Sequence, residues 1–293
     1  MDMADYRLEK ISNYDFSRYH AVYARENIHM DTDWHALLEN AGPLDCGCLL
    51  CRDDTPIGGA VFRRGTVSAP FLIPPFTDRQ KFWNAVFSLY MPENSLLHLE
   101  HIPVTHAEAL LSLGAIQKSG QYRMMRPTAL MSPSLDPAYE FALPSECDRN
   151  EIIRVIYEAH LSGHTSTING RPAIEYVRYQ TGRRFTAFAK TDTFDIGTIV
   201  LSRADRRIIA VCLAGIYPDS PNDFATVHQV SVHPDHRRRG VARAMLMNTV
   251  SKAAQRSPAI TLGVLKGNPA MQLYESVGFI AGCEYGDYEY RKL

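Results

Sequence analysis

The run Arg237-Arg238-Arg239-Gly240-Val241-Ala242 sets three guanidinium groups and a glycine at the start of an apolar-periodic segment, with Arg243 following at once. Such a loop suits a phosphate. The free N–H groups of a first helical turn point into it, and the helix dipole favours an anion there by about 1 kcal/mol. Glycine permits close backbone approach, and arginine adds charge-assisted bonds. Thr226 to Val232, rich in β-branched residues and ended by His233-Pro234, reads as the strand leading in. A solvated basic turn has the same local composition, so the setting must decide between the two readings.

Two other residues have the chemistry to move protons. His228, with an ordinary pKa near 6.5, can accept one; a strand histidine with a satisfied hydrogen bond is the competing reading. Tyr274, a phenol near 10, can donate one. It shares a helical face with Ala270, Leu273 and Val277, which also suits a core tyrosine. Glu158, Asp219 and Asp223 offer weak attraction for a cation, and His233 and His236 flank the basic loop. Cys46, Cys48 and Cys51 are closely spaced thiols on an expected strand. No second CxxC pair follows them, so buried thiols are expected and no metal is.

These residues need elements to hold them. Val241 to about Ala254 reads as a helix and Ala259 to Leu265 as a strand. Asn268-Pro269 then fits an N-cap and first helical position, and Gly278 a C-cap. The three prolines of residues 127–137 mark a linker. Each half opens strand then helix (helices near Tyr14 to Glu26 and Asp148 to His160) and closes alike: Ala109-Leu-Leu-Ser-Leu-Gly114-Ala-Ile answers Leu273-Tyr-Glu-Ser-Val-Gly278-Phe-Ile. Strand-like tails follow at Gln121 to Met125 and Tyr285 to Arg291. Phe71-Leu-Ile-Pro-Pro75 with a helix from Asp78 to Tyr90 answers Val230-Ser-Val-His-Pro234 with its helix, which indicates a diverged duplication. In that alignment Asp78 meets Arg237, Lys81 meets Gly240 and Leu110 meets Tyr274, so the first copy has the pattern without the chemistry.

Val230-x-Val232-x-Pro234-x-x-Arg237-x-x-Gly240-x-Ala242, together with Asn268-x-Ala270-x-x-Leu273-Tyr274-x-x-x-Gly278-Phe279, resembles the two motifs of the GNAT superfamily of N-acetyltransferases. The resemblance runs from about Ala138 to the end. It implies an α/β (α+β) fold of two GNAT-like domains, each a mixed, mainly antiparallel sheet flanked by helices and splayed near Val230. The expected boundaries are a degenerate domain at 1–126, a linker at 127–137 and a catalytic domain at 138–293. The resemblance further implies acetyl-CoA as co-substrate, held by Val230, Ser231 and Val232 through their backbone and by Arg237, Arg238, Arg239, Gly240, Val241, Ala242, Arg243 and Asn268. Tyr274 would be the general acid. His228-x-x-x-Val232-His233 matches the strand of arylalkylamine N-acetyltransferases, which makes His228 the general base. The acceptor would be a primary amine of a small molecule, in a pocket walled by Leu161 to Pro172 with Tyr176 and Tyr179. A protein or peptide acceptor, or an acyl-CoA sensor without turnover, are the alternatives.

Composition narrows the classes. A formal charge of −1, from 31 basic and 32 acidic side chains, provides no global field for nucleic acid or an anionic membrane. Met1-Asp-Met-Ala-Asp does not start as a signal peptide does, and Ile208 to Tyr217, the longest apolar stretch, is too short to span a bilayer. A reducing cytoplasm with free thiols is the expectation.

Overall fold

The computed structural model describes residues 5–24, 47–63, 65–91, 95–161, 167–168, 171–218 and 223–292. Helix starts in it are set by local chemistry. Ser12 accepts a bond from the Asp15 N–H at 3.0 Å and opens α1, Asn13–Tyr23. Asp78 does the same for Lys81 at 2.9 Å and opens α2, Arg79–Tyr90. After α3, Ala107–Ser112, a reciprocal capping box of Ser145 and Asp148 precedes α4, Arg149–Leu161. α2 and α4 agree with the expected helices within a residue, whereas α1 ends at Tyr23 with Ala24 as its C-cap, short of the expected Glu26, which lies outside the described residues, and α3 was not expected.

Two compact units result. The first comprises Met1–Arg123, Val264–Asn268 and Ala281–Leu293; the second comprises Met124–Gly263 and Pro269–Ile280. In the first, the strand order is β1 (Tyr6–Lys10), β2 (Gly47–Arg52), β3 (Thr55–Arg63), β4 (Thr66–Leu72), β5 (Leu96–Pro103), β14 (Ile280–Arg291), β6 (Ile116–Pro127). β4 and β5 run parallel, through Thr66–Ser68 against His98–Glu100, while β1 to β4 pair antiparallel. The C-terminal strand, expected as the tail of the second half, completes this unit instead: β14 pairs antiparallel with β5, Tyr290 stacks on Phe87 at 3.8 Å, and Tyr288 is buried with Trp83 and Leu99. Alternation on β2 sends Cys48 to the α2 side of the sheet and Cys51 to the Phe16 side. Cys46 lies outside the described residues, among which no group of three or more His, Cys, Asp or Glu has a metal-binding arrangement.

The second unit orders β13 (Ala259–Leu265), β12 (Ala225–Val232), β11 (Ile208–Ile216), β10 (Thr198–Ser202), β7 (Tyr139–Ala142). One face carries α4 and α5 (Ala173–Thr191), whose Ile152, Ile156, Phe185 and Phe188 pack with Val211 and Leu213. The opposite face carries α6, Val241–Ala253, against β10, β11 and β12. The expected linker is packed rather than free: the Thr128 N–H donates to Pro258 and the Met131 N–H to Ser251 Oγ. Short strands β8 (Thr167–Ile168) and β9 (Arg171–Pro172) lead into α5. Among the described residues no helix is long and apolar enough to cross a membrane.

Candidate active site

β12 is irregular where the chemistry was expected. Against β11, Leu213 pairs with Gln229 but Ala214 with Val227, so His228 is an extra residue with no opposite number, a β-bulge. On its other edge β12 runs parallel to β13, with pairs only from Ala225↔Ile260 to Val227↔Leu262. The two strands therefore part at the bulge, two residues earlier than the expected Val230. The His233 N–H donates to Ile209 of β11 at 2.8 Å. By alternation, the N–H groups of Val230 and Val232 point away from β11 and into the gap.

The gap has different surroundings on its two sides. His228 is partly buried among rings, its centroid 4.7 Å from Tyr217 and 6.0 Å from Phe188 on the α5 face. Phe188 fits because residue 215 is glycine; a Cβ there would collide with its ring. Tyr274, on α7 (Ala270–Ser276), is partly buried, and burial first and Cys212 second push its phenol up to about 12. Cys212 pairs with Val230 and its thiol bonds to Thr249 of α6, on the opposite face from His228. His228 thus lies on the α5 face of β12, whereas Tyr274 feels Cys212, whose thiol is on the α6 face.

The basic loop begins at Pro234–His236 and reaches α6 through Arg238 at φ 63° and Gly240 at φ 74°, two left-handed residues that turn successive N–H groups inward. Gly240 takes the N-cap position and offers no side-chain cap, so the first N–H groups of α6, those of Val241, Ala242 and Arg243, are open to a ligand. Nothing lies within 4 Å of where a Cβ on Gly240 would sit.

The arginines divide the labour. Arg237 donates to the chain itself, Nε to Val232 at 3.1 Å and Nη2 to Ala159 at 2.8 Å. Arg239 donates to Tyr139 Oη at 3.0 Å and to the Asp235 carbonyl, and Arg243 to Ser276 Oγ at 2.8 Å. Arg238 is exposed and has no hydrogen bond or ion pair among the described residues. The loop is further tied to α4: His233 Nδ1 accepts from the Asp235 N–H, which assigns the proton to Nε2, 3.2 Å from the Glu158 carboxylate. Glu158 also holds Arg154 at 2.6 Å, so it is committed to this brace rather than to an acceptor cation. His236 bonds to Tyr139 at 3.0 Å; burial and Arg239 lower its pKa.

Other expectations meet the structure unevenly. Asn268 is not the cap of α7: Pro269, with helical φ of −61°, takes that position without a side-chain bond, and Asn268 falls in the first unit. Asp223 is exposed, and Asp219 and most of residues 161–172 lie outside the described residues. Aligned by caps, the residue of the first unit that answers Gly240 is Asp78 and not Lys81, and its carboxylate satisfies the turn that Gly240 leaves open. Helix α5 itself was not foreseen. Its signal is the stripe Val177, Thr181, Phe185, Phe188, blurred by polar residues between them.

Residues 167–279 match the model of the acetyltransferase (GNAT) family, and this stretch is a GNAT-family domain. The chain as a whole has the fold of solved GNAT proteins. It superimposes on a GCN5-related N-acetyltransferase from Sphaerobacter thermophilus with a TM-score of 0.69 at 15% identity, covering 97% of this chain and 95% of that one. For a tandem GNAT protein from the clavulanic acid biosynthesis pathway the values are 0.56 and 11%, with 99% of each covered. For a GNAT-family acetyltransferase from Colwellia psychrerythraea they are 0.57 and 12%, covering 97% and 100%. No curated protein matches in sequence.

Proposed function

We propose that the chain is an acetyl-CoA-dependent N-acetyltransferase of the cytoplasm acting on a primary amine of a small molecule, with one cofactor site, in the second unit. The observation that carries this is the coincidence of the strand gap with the uncapped N-terminus of α6: Val230 and Val232 offer N–H groups to the one, Val241 to Arg243 to the other. The donor set fits a pyrophosphate with a pantetheine arm. Acetyl-CoA supplies an activated acyl group when bound.

The protein's own residues then account for orientation and protons. Arg237 and the His233–Glu158 pair fix the loop so that its N–H groups are preorganised, and exposed Arg238 adds the mobile charge. His228, on the α5 face, takes the proton of the incoming amine, which at neutral pH is mostly protonated. Tyr274 keeps its proton across the physiological range because its pKa stands at about 12. Full transfer from such a phenol to an ordinary thiolate is uphill by roughly 5 kcal/mol. Tyr274 therefore acts as a hydrogen-bond donor at the departing sulfur unless that thiolate is desolvated as well.

The test is release of CoA thiol from acetyl-CoA across a panel of small amines, run beside peptides with free N-termini and with His228→Ala and Tyr274→Phe. Turnover on small amines, lowered by both substitutions, is the expected result. Turnover on peptides alone would replace the acceptor class, and cofactor binding without any turnover would leave a sensor.

A further inference from the structure

Helix α5 turns Val177, Thr181, Phe185 and Phe188 inward, each 5% exposed or less. Arg184 follows Thr181 by three residues and precedes Phe188 by four, which sets it on the same face. Arg184 is partly buried there, and an apolar side chain would serve packing better, since even partial withdrawal of a charge from water has a cost without a partner. Among the described residues no carboxylate pairs with Arg184. Its electrostatic neighbours are the phenols of Tyr217 and Tyr176 and the cation of Arg183, which itself lies over the Tyr179 ring at 5.8 Å. Burial is the main influence on it and lowers its pKa, though a guanidinium stays charged regardless.

The place matters as much as the missing anion. Tyr217 joins Arg184 to the expected base: its ring is 4.7 Å from His228 and 5.8 Å from Phe188. One turn before Arg184, the buried Thr181 hydroxyl has no hydrogen-bond partner among the described residues. A partly buried cation next to Tyr217, with no counter-ion among the described residues, is suited to receive an anion brought by the ligand.

We propose that Arg184 receives a carboxylate of the acyl acceptor, so that the acceptor is a zwitterion of the amino-acid class. This deepens the transfer reading above and rests on it for the identity of the neighbouring base. Dications such as polyamines are disfavoured, because Arg183 and Arg184 repel a second positive group.

The experiment compares acids with their decarboxylated counterparts: lysine with cadaverine, tryptophan with tryptamine, 5-aminopentanoate with butylamine. Thiol release is followed in the wild type and in Arg184→Gln and Arg184→Lys. The expected result is a preference for the acid of tenfold or more in kcat/KM for at least one pair. In Arg184→Gln that preference collapses toward one through acceptor KM, with the acetyl-CoA KM unchanged; in Arg184→Lys part of it is retained. Arg184→Gln is expected to melt close to wild type, since Arg184 is only partly buried and has no ion pair among the described residues to lose, and that separates a binding role from a structural one. Equal rates within every pair, or an unchanged ratio in Arg184→Gln, would overturn the proposal. If no amine is acetylated, the transfer reading fails, and calorimetry on the CoA-loaded protein decides the Arg184 site alone: acid binding that is lost in Arg184→Gln supports it, and absent or unaltered binding refutes it.

Discussion

Arg237 donates its Nε–H to the carbonyl of Val232, 3.1 Å away, and its second nitrogen reaches Ala159 at the end of α4. The first arginine of the loop thus ties strand, loop and helix together, and Arg238 is left to meet solvent or ligand. The two should fail differently. Arg237→Ala should lower the melting temperature and weaken CoA binding together, because loop geometry is lost. Arg238→Ala should leave melting unchanged and weaken CoA by about 1 kcal/mol, roughly fivefold in Kd, with the difference shrinking at high salt. Thermal melts and CoA titrations at two ionic strengths separate these outcomes.

Asp78 caps α2 with its own carboxylate, at the position that Gly240 holds in the second unit. Asp78→Ala should cost about 1 kcal/mol of stability, as loss of an N-cap does, with turnover unaffected at temperatures where the protein stays folded. Loss of turnover without loss of stability in urea unfolding would mean that the first unit takes part in the chemistry.

Tyr274 should behave as a donor and not as a titrating acid. Tyr274→Phe should lower kcat by roughly 10- to 100-fold with little change in the acetyl-CoA KM. Because its folded pKa is raised to about 12, the unfolded chain loses that proton first, near pH 10. The stability due to the buried neutral phenol is therefore complete below pH 10 and disappears as the pH rises toward 12. Urea midpoints measured over that window should fall more steeply for wild type than for Tyr274→Phe.

His106 gives the first unit an acid limit. Its Nδ1 accepts from the Trp83 indole N–H at 3.0 Å, and burial, helped by Arg79, lowers its pKa to about 3. A depressed histidine contributes stability above the unfolded value of 6.5 that is lost as the pH falls. The loss should amount to something on the order of 4 kcal/mol by pH 3. Trp83 is fully buried beside His106, so tryptophan fluorescence should follow the acid transition, and His106→Gln should flatten its pH dependence while costing stability at pH 7.

The motifs around Gly240 and Tyr274 were legible in the sequence because they are local: strand, turn and helix follow one another within a few residues. What was not legible depended on partners distant in the chain. Nothing within Arg237 to Arg239 says that backbone carbonyls at Ala159, Val232 and Asp235 and the Tyr139 hydroxyl take up two of the three guanidiniums. The bulge at His228 is a property of its register with β11, so the sequence placed the strand but put its opening at Val230. Helix α5 is not legible in the sequence for a chemical reason, since Thr181 and Arg184 interrupt the apolar stripe that would announce it. The destination of the last strand was hidden because alternation shows a strand but not its neighbour; β14 pairs with β5, about 190 residues earlier in the chain.

The central claim is a single acyl-CoA site at the start of α6, and calorimetric titration of the whole chain with CoA tests it most directly. The account predicts one CoA per chain for the wild type and none for Gly240→Asp, whose side chain puts a negative charge at the open N–H groups and a strained backbone at φ 74°. Two sites per chain, or undiminished binding in Gly240→Asp, would contradict it.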